Sequence, residues 1–244
     1  MIRLDDLHLG GLKIYQDSDS FCFGTDAVLL SWFSSVKKFT NVADLCSGNG
    51  IVAILLSRFG CMKSGVCVEL NDAQALLCQK SLELNLLEEK LKVLNSDLRK
   101  IRKEKLLEAG FYDLVTVNPP YTPVKDGFIA AGAKGYARSE LECTISDIAE
   151  QGSYLLKQGG RFCVVHRPER LADLVCECRN RNLELKRFRM VCAHVGDSPS
   201  MILAEFIKCA KSGVTVEPPL IIYDENNRYT DIMNKIYERS SANE

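Results

Sequence analysis

With 244 residues, 46% of them hydrophobic and 26% charged, the chain can bury one substantial core and is too short for two full domains of ordinary size. No apolar run approaches the length needed to cross a bilayer, which excludes a helical membrane protein, and a formal net charge of -1 does not mark a polybasic nucleic-acid binder, although a local basic patch suffices for phosphate contact. Met1-Ile2-Arg3-Leu4-Asp5-Asp6 carries charge where a secretory signal is apolar, and eleven cysteines form an odd count without CxxC pairs, so we expect a cytoplasmic protein with reduced thiols and no metal.

Residues 1 to 35 precede the core as an appendage. From residue 42 onward, apolar runs of strand length alternate with helical stretches, which predicts an α/β fold with a mostly parallel sheet and helices on both faces. The strand Asn41 to Leu45 runs into Cys46-Ser47-Gly48-Asn49-Gly50 and the helix-like Ile51-Val52-Ala53-Ile54-Leu55-Leu56. Small residues in such a turn let a ligand lie against backbone, and Gly50 can take a conformation closed to side chains. The second strand, Gly65 to Glu69, ends in an acid at the distance where open α/β nucleotide sites hold ribose hydroxyls, with Leu70 beside it. A helix follows over Asp72 to Leu87, its inner face formed by Ala75, Cys78, Leu82 and Leu86. The third strand, Lys92 to Asn95, delivers Asp97 and Leu98, a second acid suited to accept from the exocyclic amine of adenine. A glycine turn alone is equally a tight strand-to-helix connection. Three strand ends converging on one adenosine favour a cofactor, and the missing GxGxxG pattern argues against a nicotinamide dinucleotide.

The fourth strand, Leu114 to Val117, delivers Asn118-Pro119-Pro120-Tyr121 on the rim where ligands of open sheets bind. Proline keeps Asn118 out of the helical region, and two fixed proline φ angles stiffen the loop. The Asn118 side-chain carbonyl and the Pro119 backbone carbonyl can then accept both hydrogens of a planar amino group, weakening the conjugation that makes it a poor nucleophile. Tyr121 offers an aromatic face for a displaced base. Arg161 to Val165 is the fifth strand, and Leu183 to His194 with Met201 to Lys208, separated by Gly196-Asp197-Ser198-Pro199-Ser200, reads as a long antiparallel hairpin. Two basic runs, Arg99 to Lys105 and Lys186 to Arg189, are either solvated faces or RNA contacts.

On Asp44, the glycine turn, Glu69, Asp97 and Asn118-Pro119-Pro120-Tyr121, the chain resembles the class I methyltransferases that act on amino groups, and over nearly its whole length it is similar to the bacterial tRNA1(Val) (adenine37-N6)-methyltransferase family. The resemblance implies a Rossmann-like seven-stranded, mostly parallel sheet whose seventh strand runs against the others, and S-adenosylmethionine as cofactor. It also implies an N-terminal segment, residues 1–40, covering that cofactor ahead of a catalytic domain at 41–244. The cofactor would lie against Asp44, Cys46, Ser47, Gly48, Asn49, Gly50, Glu69, Leu70, Asp97, Leu98 and Asn118, with Asn118, Pro119 and Tyr121 catalytic. Cys46 departs from the family pattern Asp-x-Gly-x-Gly-x-Gly at its first glycine. Phe21 to Leu30 is similar to the family's entry segment, with Thr25 and Asp26 either contacting the cofactor or capping the helix from Ala27 to Phe33. Arg138, Arg167 and Arg170 are candidates for phosphate contact, while His166 reads as structural. The implied substrate is an adenine of the tRNA anticodon loop, at position 37 of valine tRNA. Alternatives are a glutamine amide of a release factor, whose enzymes carry an added N-terminal helical domain, another RNA amino-methyltransferase with the same tetrapeptide, and a non-catalytic RNA-binding factor, against which the intact tetrapeptide argues.

Overall fold

All five apolar runs lie side by side in the computed structural model, which describes residues 1–7, 9–18, 24–35, 40–59, 62–120 and 143–237. They become β3 (Thr40–Leu45), β4 (Met62–Glu69), β5 (Leu91–Asn95), β6 (Tyr112–Val117) and β7 (Leu156–His166). The hairpin strands are β8 (Leu183–Cys192) and β9 (Met201–Lys208), preceded at the N-terminus by β1 (Ile2–Asp6) and β2 (Lys13–Asp17) and followed by β10 (Thr215–Ile221). The main sheet has the order β10-β8-β9-β7-β6-β3-β4-β5, and β9 alone runs antiparallel to its neighbours within it. The expected class and the reversed strand are present, but the sheet has eight strands rather than seven. The eighth, β10, carries Pro218 and Pro219, which remove ladder donors. It is tolerated because β10 is an edge strand and its pairing to β8 is irregular between Glu217 and Leu220.

Helices cover both faces. On one lie α1 (Thr25–Ser34), α2 (Ile51–Arg58), α3 (Asp72–Leu84) and, after the sheet, α7 (Asp231–Ile236); the other carries α4 (Ile101–Glu104), α5 (Ile145–Leu155) and α6 (Leu171–Arg179). Strand side chains alternate between two cores: Val42, Leu114, Cys163 and Val165 face the α1–α2 layer, and Ala43, Val115, Phe162 and Val164 face α5. Residues ahead of the sheet share the first core, since Leu9, Ile14, Leu29 and Leu30 are fully buried in it. The β1–β2 hairpin is tied to α3 by Tyr15 N–H donating to Ser81 Oγ and by Asn85, which exchanges two hydrogen bonds with the Lys13 backbone.

The α3 helix ends earlier than its apolar spacing predicts. Leu86 adopts a left-handed φ of 56°, Leu86 N–H donates to the Glu83 carbonyl and Leu87 N–H to the Leu82 carbonyl, a Schellman stop. Leu86 is therefore exposed, and Leu87 takes its place in the core. The helix starts on Asn71, whose side chain accepts from Gln74 N–H.

Arg187 and Arg189 of the second basic run pack against α1. Arg187 donates to Glu205 at 3.0 Å, to Glu217 at 2.9 Å and to the Phe33 carbonyl at 2.8 Å, with its guanidinium 3.8 Å from the Phe33 ring centroid. Arg161 also pairs with Glu205, and Arg189 lies over Trp32, so this cluster fastens α1 to β8, β9 and β10. Arg187→Ala leaves the buried Glu205 carboxylate with one cation and Glu217 with Arg189 at 3.8 Å. We expect a loss of about 3 kcal/mol, measured as a lowered urea midpoint with an unchanged slope.

Candidate active site

Chain order reverses direction across the sheet between β3 and β6, which are neighbours, so the crevice at their carboxyl ends is the topological switch point where ligands of open α/β sheets bind. Both the Cys46–Gly50 turn and Asn118 emerge there. In the turn, Cys46, Gly48 and Gly50 all have left-handed φ values, of 56°, 55° and 87°. These are the three glycine positions of the methyltransferase pattern, which explains the pattern: alternate residues must adopt a conformation that side chains resist. Cys46 accepts a strain of roughly 1–2 kcal/mol in doing so.

Backbone and side-chain bonds then stitch the strand ends together. Ser47 N–H donates to the Val68 carbonyl, and Gly48 N–H donates to Glu69 Oε2 at 2.8 Å. Glu69 Oε1 accepts from Asn71 N–H, leaving a second lone pair on each carboxylate oxygen. Burial pushes the Glu69 carboxyl up from its ordinary value, although the Asn71, Gly48 and Leu70 N–H groups oppose this. Asn95 Nδ2 and Ser96 N–H both donate to the Glu69 carbonyl, which holds the end of β5 against that of β4. Leu70 beside Glu69 is 43% exposed, an apolar surface on the rim, whereas Leu98 is buried.

Asp97 stands where the second acid was expected, but its carboxylate is already engaged. Arg99 donates from its guanidinium to both oxygens and from its backbone to Oδ1, holding the carboxyl below its usual range. Asn49 is turned away from an incoming ligand and donates from Nδ2 to the Tyr15 carbonyl, anchoring β2 to the turn. Contact with the Cys143 thiol, then burial, pushes the Cys46 thiol well above its ordinary value.

Beneath the turn lies Asp44, 1% exposed, whose Cα partner across the sheet is Thr116. Thr116 Oγ1 donates to Asp44 Oδ1 at 2.7 Å. Thr116 was not singled out from the sequence; the signal was a hydroxyl in the otherwise apolar Leu114-Val115-Thr116-Val117, which needs a partner when buried. Burial raises the Asp44 carboxyl to about 7, with Glu69 adding to the rise and the Thr116 bond opposing it. A carboxyl whose folded pKa lies above its unfolded value of 3.8 loses stability as pH rises between the two. His166, buried and accepting Arg167 N–H at Nδ1, is driven down to about 4 and acts in the opposite sense over the window up to 6.5. Asp44→Asn removes only the first slope. The stability of this variant relative to wild type is expected to increase steadily from about pH 4 to pH 7, read by urea unfolding at each pH; a constant difference would contradict it.

On the β6 side, Asn118 Nδ2 donates to Asp26 Oδ2 at 3.0 Å. A carboxylate only accepts, so this bond fixes which end of the amide faces α1 and leaves Asn118 Oδ1 pointing elsewhere. Pro119 is buried and Pro120 half-buried. Neither Thr25 nor Asp26 caps α1, whose N-cap is Gly24 with no side-chain bond. Tyr121, Arg138 and Phe21 to Phe23 fall outside the described residues. Arg170 is paired with Asp173, Arg99 with Asp97 and Arg102 with Glu150, and Lys100, Lys103 and Lys105 of the first basic run are exposed with no ion pair among the described residues. Among the described residues no group of three or more His, Cys, Asp or Glu is placed to hold a metal ion, and no helix is long and apolar enough to cross a membrane.

The methyltransferase small domain family matches residues 18–175. Over 94% of this chain and 95% of its own length, a protein named tRNA1(Val) (adenine(37)-N6)-methyltransferase from Tolumonas auensis is 25% identical, and one of the same name from Histophilus somni is 26% identical over 94% of each. Among solved structures, a predicted O-methyltransferase from Agrobacterium tumefaciens aligns over 87% of this chain and 95% of its own, with a TM-score of 0.70 and 20% identity. The P. horikoshii TYW2 in complex with MeSAdo aligns over 82% and 70%, with a TM-score of 0.56 and 12% identity.

The residues of the rim fit S-adenosylmethionine, the methyl donor of this class. Asp44 Oδ2 and Ser47 Oγ are buried at the turn without a hydrogen-bond partner, as expected of groups awaiting a ligand or its water. Spare lone pairs on Glu69 suit vicinal hydroxyls, and the left-handed turn brings backbone to the surface. The sheet order, the glycine-pattern turn and the extent of the match agree: this chain belongs to the methyltransferase small domain family.

Proposed function

We propose that the protein methylates the N6 amino group of an adenine in tRNA, at position 37 beside the anticodon of valine tRNA, in the cytoplasm. The observation that carries this reading is the Asn118 amide held by Asp26 at the end of β6, next to the cofactor turn on β3. Relatives carrying the tRNA name across more than nine-tenths of both chains give the substrate class.

S-adenosylmethionine, when bound, supplies a methyl group already activated on a sulfonium. Glu69 would hold its ribose hydroxyls, Leu70 and Leu98 would flank its adenine, and the Cys46–Gly50 turn with Asp44 would hold its amino-acid end. Asp97 can receive the adenine amine only on lone pairs that Arg99 leaves free. What the chain itself does at the acceptor nitrogen is positional. Asn118 Oδ1 and the Pro119 carbonyl accept the two amino hydrogens, which draws the nitrogen lone pair out of conjugation and aims it at the methyl. Tyr121 provides the ring on which a base displaced from a loop can stack, since unstacking a loop base costs little.

The test is transfer of tritium from labelled S-adenosylmethionine to unmodified tRNA, a release factor or ribosomal RNA offered side by side. Label in tRNA that digests to N6-methyladenosine supports the proposal; label only in protein assigns a glutamine amide instead. Loss of that nucleoside from valine tRNA after gene deletion would fix the position.

A further inference from the structure

Asp26 was expected either to touch the cofactor or to cap α1; it does not cap the helix, and its carboxylate bonds to Asn118. It is 7% exposed and accepts from Asn118 Nδ2, ninety-two positions away in sequence. The bond is built for rigidity. Asp26 sits in the first turn of a ten-residue helix that packs on α2, the helix that starts at Gly50. Ahead of it, a Cβ at Gly24 would lie 2.8 Å from Asp26 Oδ1, so a glycine is needed to let the carboxylate take this place. A primary amide presents a carbonyl at one end and two donors at the other, and only the carbonyl end can accept an amino hydrogen.

We propose that Asp26 is a positioning residue that sets the rotamer and facing of the Asn118 amide, so that Asn118 Oδ1 rather than Nδ2 is presented to the amino group being methylated. Without it the amide turns freely and spends part of its time offering donors, which repel the amino hydrogens. Asp26 then links the N-terminal segment to the acceptor side of the site, not to the cofactor side. This inference rests on the amino-methylation reading above, and the two fail separately.

The experiment compares Asp26→Leu, of similar shape with no acceptor, and Asp26→Asn, which keeps one acceptor oxygen. Positioning predicts a kcat reduced about 100-fold at saturating cofactor in Asp26→Leu, with cofactor Kd unchanged by calorimetry and most of the rate recovered in Asp26→Asn. In an Asn118→Ala background, Asp26→Leu should cost nothing further. A raised cofactor Kd with full kcat at saturation would make Asp26 a cofactor contact and overturn the proposal, as would a further loss in the Asn118→Ala background. The side-chain Nδ2 resonance of Asn118, assigned by its absence in Asn118→Ala, gives a readout that needs no turnover. It should shift in Asp26→Leu and stay near its wild-type position in Asp26→Asn. An unmoved resonance in Asp26→Leu sinks the proposal whatever the substrate, whereas a wild-type protein that methylates no tRNA sinks the substrate reading alone. Asp26→Asn, which preserves the shape and one acceptor, separates loss of the bond from loss of the fold.

Discussion

Asn118→Ala is expected to lower kcat for methyl transfer by about 10²–10³-fold, the range found when one preorganised polar group is removed from a reacting centre, while cofactor affinity stays within about threefold. The reason is where the residue sits. The acids and the glycine turn proposed to hold the cofactor lie at the ends of β3, β4 and β5, and the bonding among Ser47, Gly48, Glu69 and Asn95 does not pass through Asn118. What the substitution removes is an acceptor carbonyl on β6, and with it the group that Asp26 orients. A methyl-transfer assay at saturating cofactor paired with calorimetric titration of S-adenosylmethionine checks both halves. Turnover at the wild-type rate would take Asn118 out of the mechanism, and a large loss of cofactor affinity would move it to the cofactor side.

Gly50→Ala should act on the other half of the site and on the fold at once. Gly50 has φ 87° and is the N-cap of α2, and a Cβ there would lie 2.6 Å from Cys78 Sγ. Cys78 cannot yield easily, because it is fully buried in the first core. The left-handed backbone costs roughly 1–2 kcal/mol for a residue with a side chain, and overpacking adds roughly 1–3 kcal/mol. Together these lower the melting temperature by about 10 °C in a chain of this size. Because the strain falls on the turn itself, cofactor binding should weaken more than stability alone requires. Thermal unfolding with and without S-adenosylmethionine tests this: the stabilisation by cofactor seen in wild type should shrink in the variant. Gly48→Ala provides the contrast, since a Cβ at Gly48 meets nothing within 4 Å and only the left-handed φ of 55° opposes it.

Much of this arrangement was legible in the chain before any coordinates. Alternation of apolar runs with helical stretches gave the α/β class and five parallel strands, because a strand buried on both faces has to be apolar along its length. The glycines of the turn are local signals read by local rules. The turn and the tetrapeptide were recognisable as motifs because their chemistry is backbone chemistry, fixed by which residues tolerate left-handed or proline-locked conformations. β10 was not legible, since two prolines argue against a strand unless it is known to lie at an edge. The end of α3 was missed because a Schellman stop usually has glycine at the left-handed position, and here it is Leu86.

The sequence by itself thus determined the fold class and pointed to the two candidate ends of the site and the kind of nitrogen they would suit, readings that depend on composition, periodicity and backbone conformation over a few residues. Only the tertiary structure decided who partners whom. It gave Asp26 to Asn118, Thr116 to Asp44, and Arg187 to Glu205 and Glu217. Those pairings span up to ninety-two residues or cross between neighbouring strands, and a side chain's choice of partner depends on strand order and register, which no local pattern in the chain specifies.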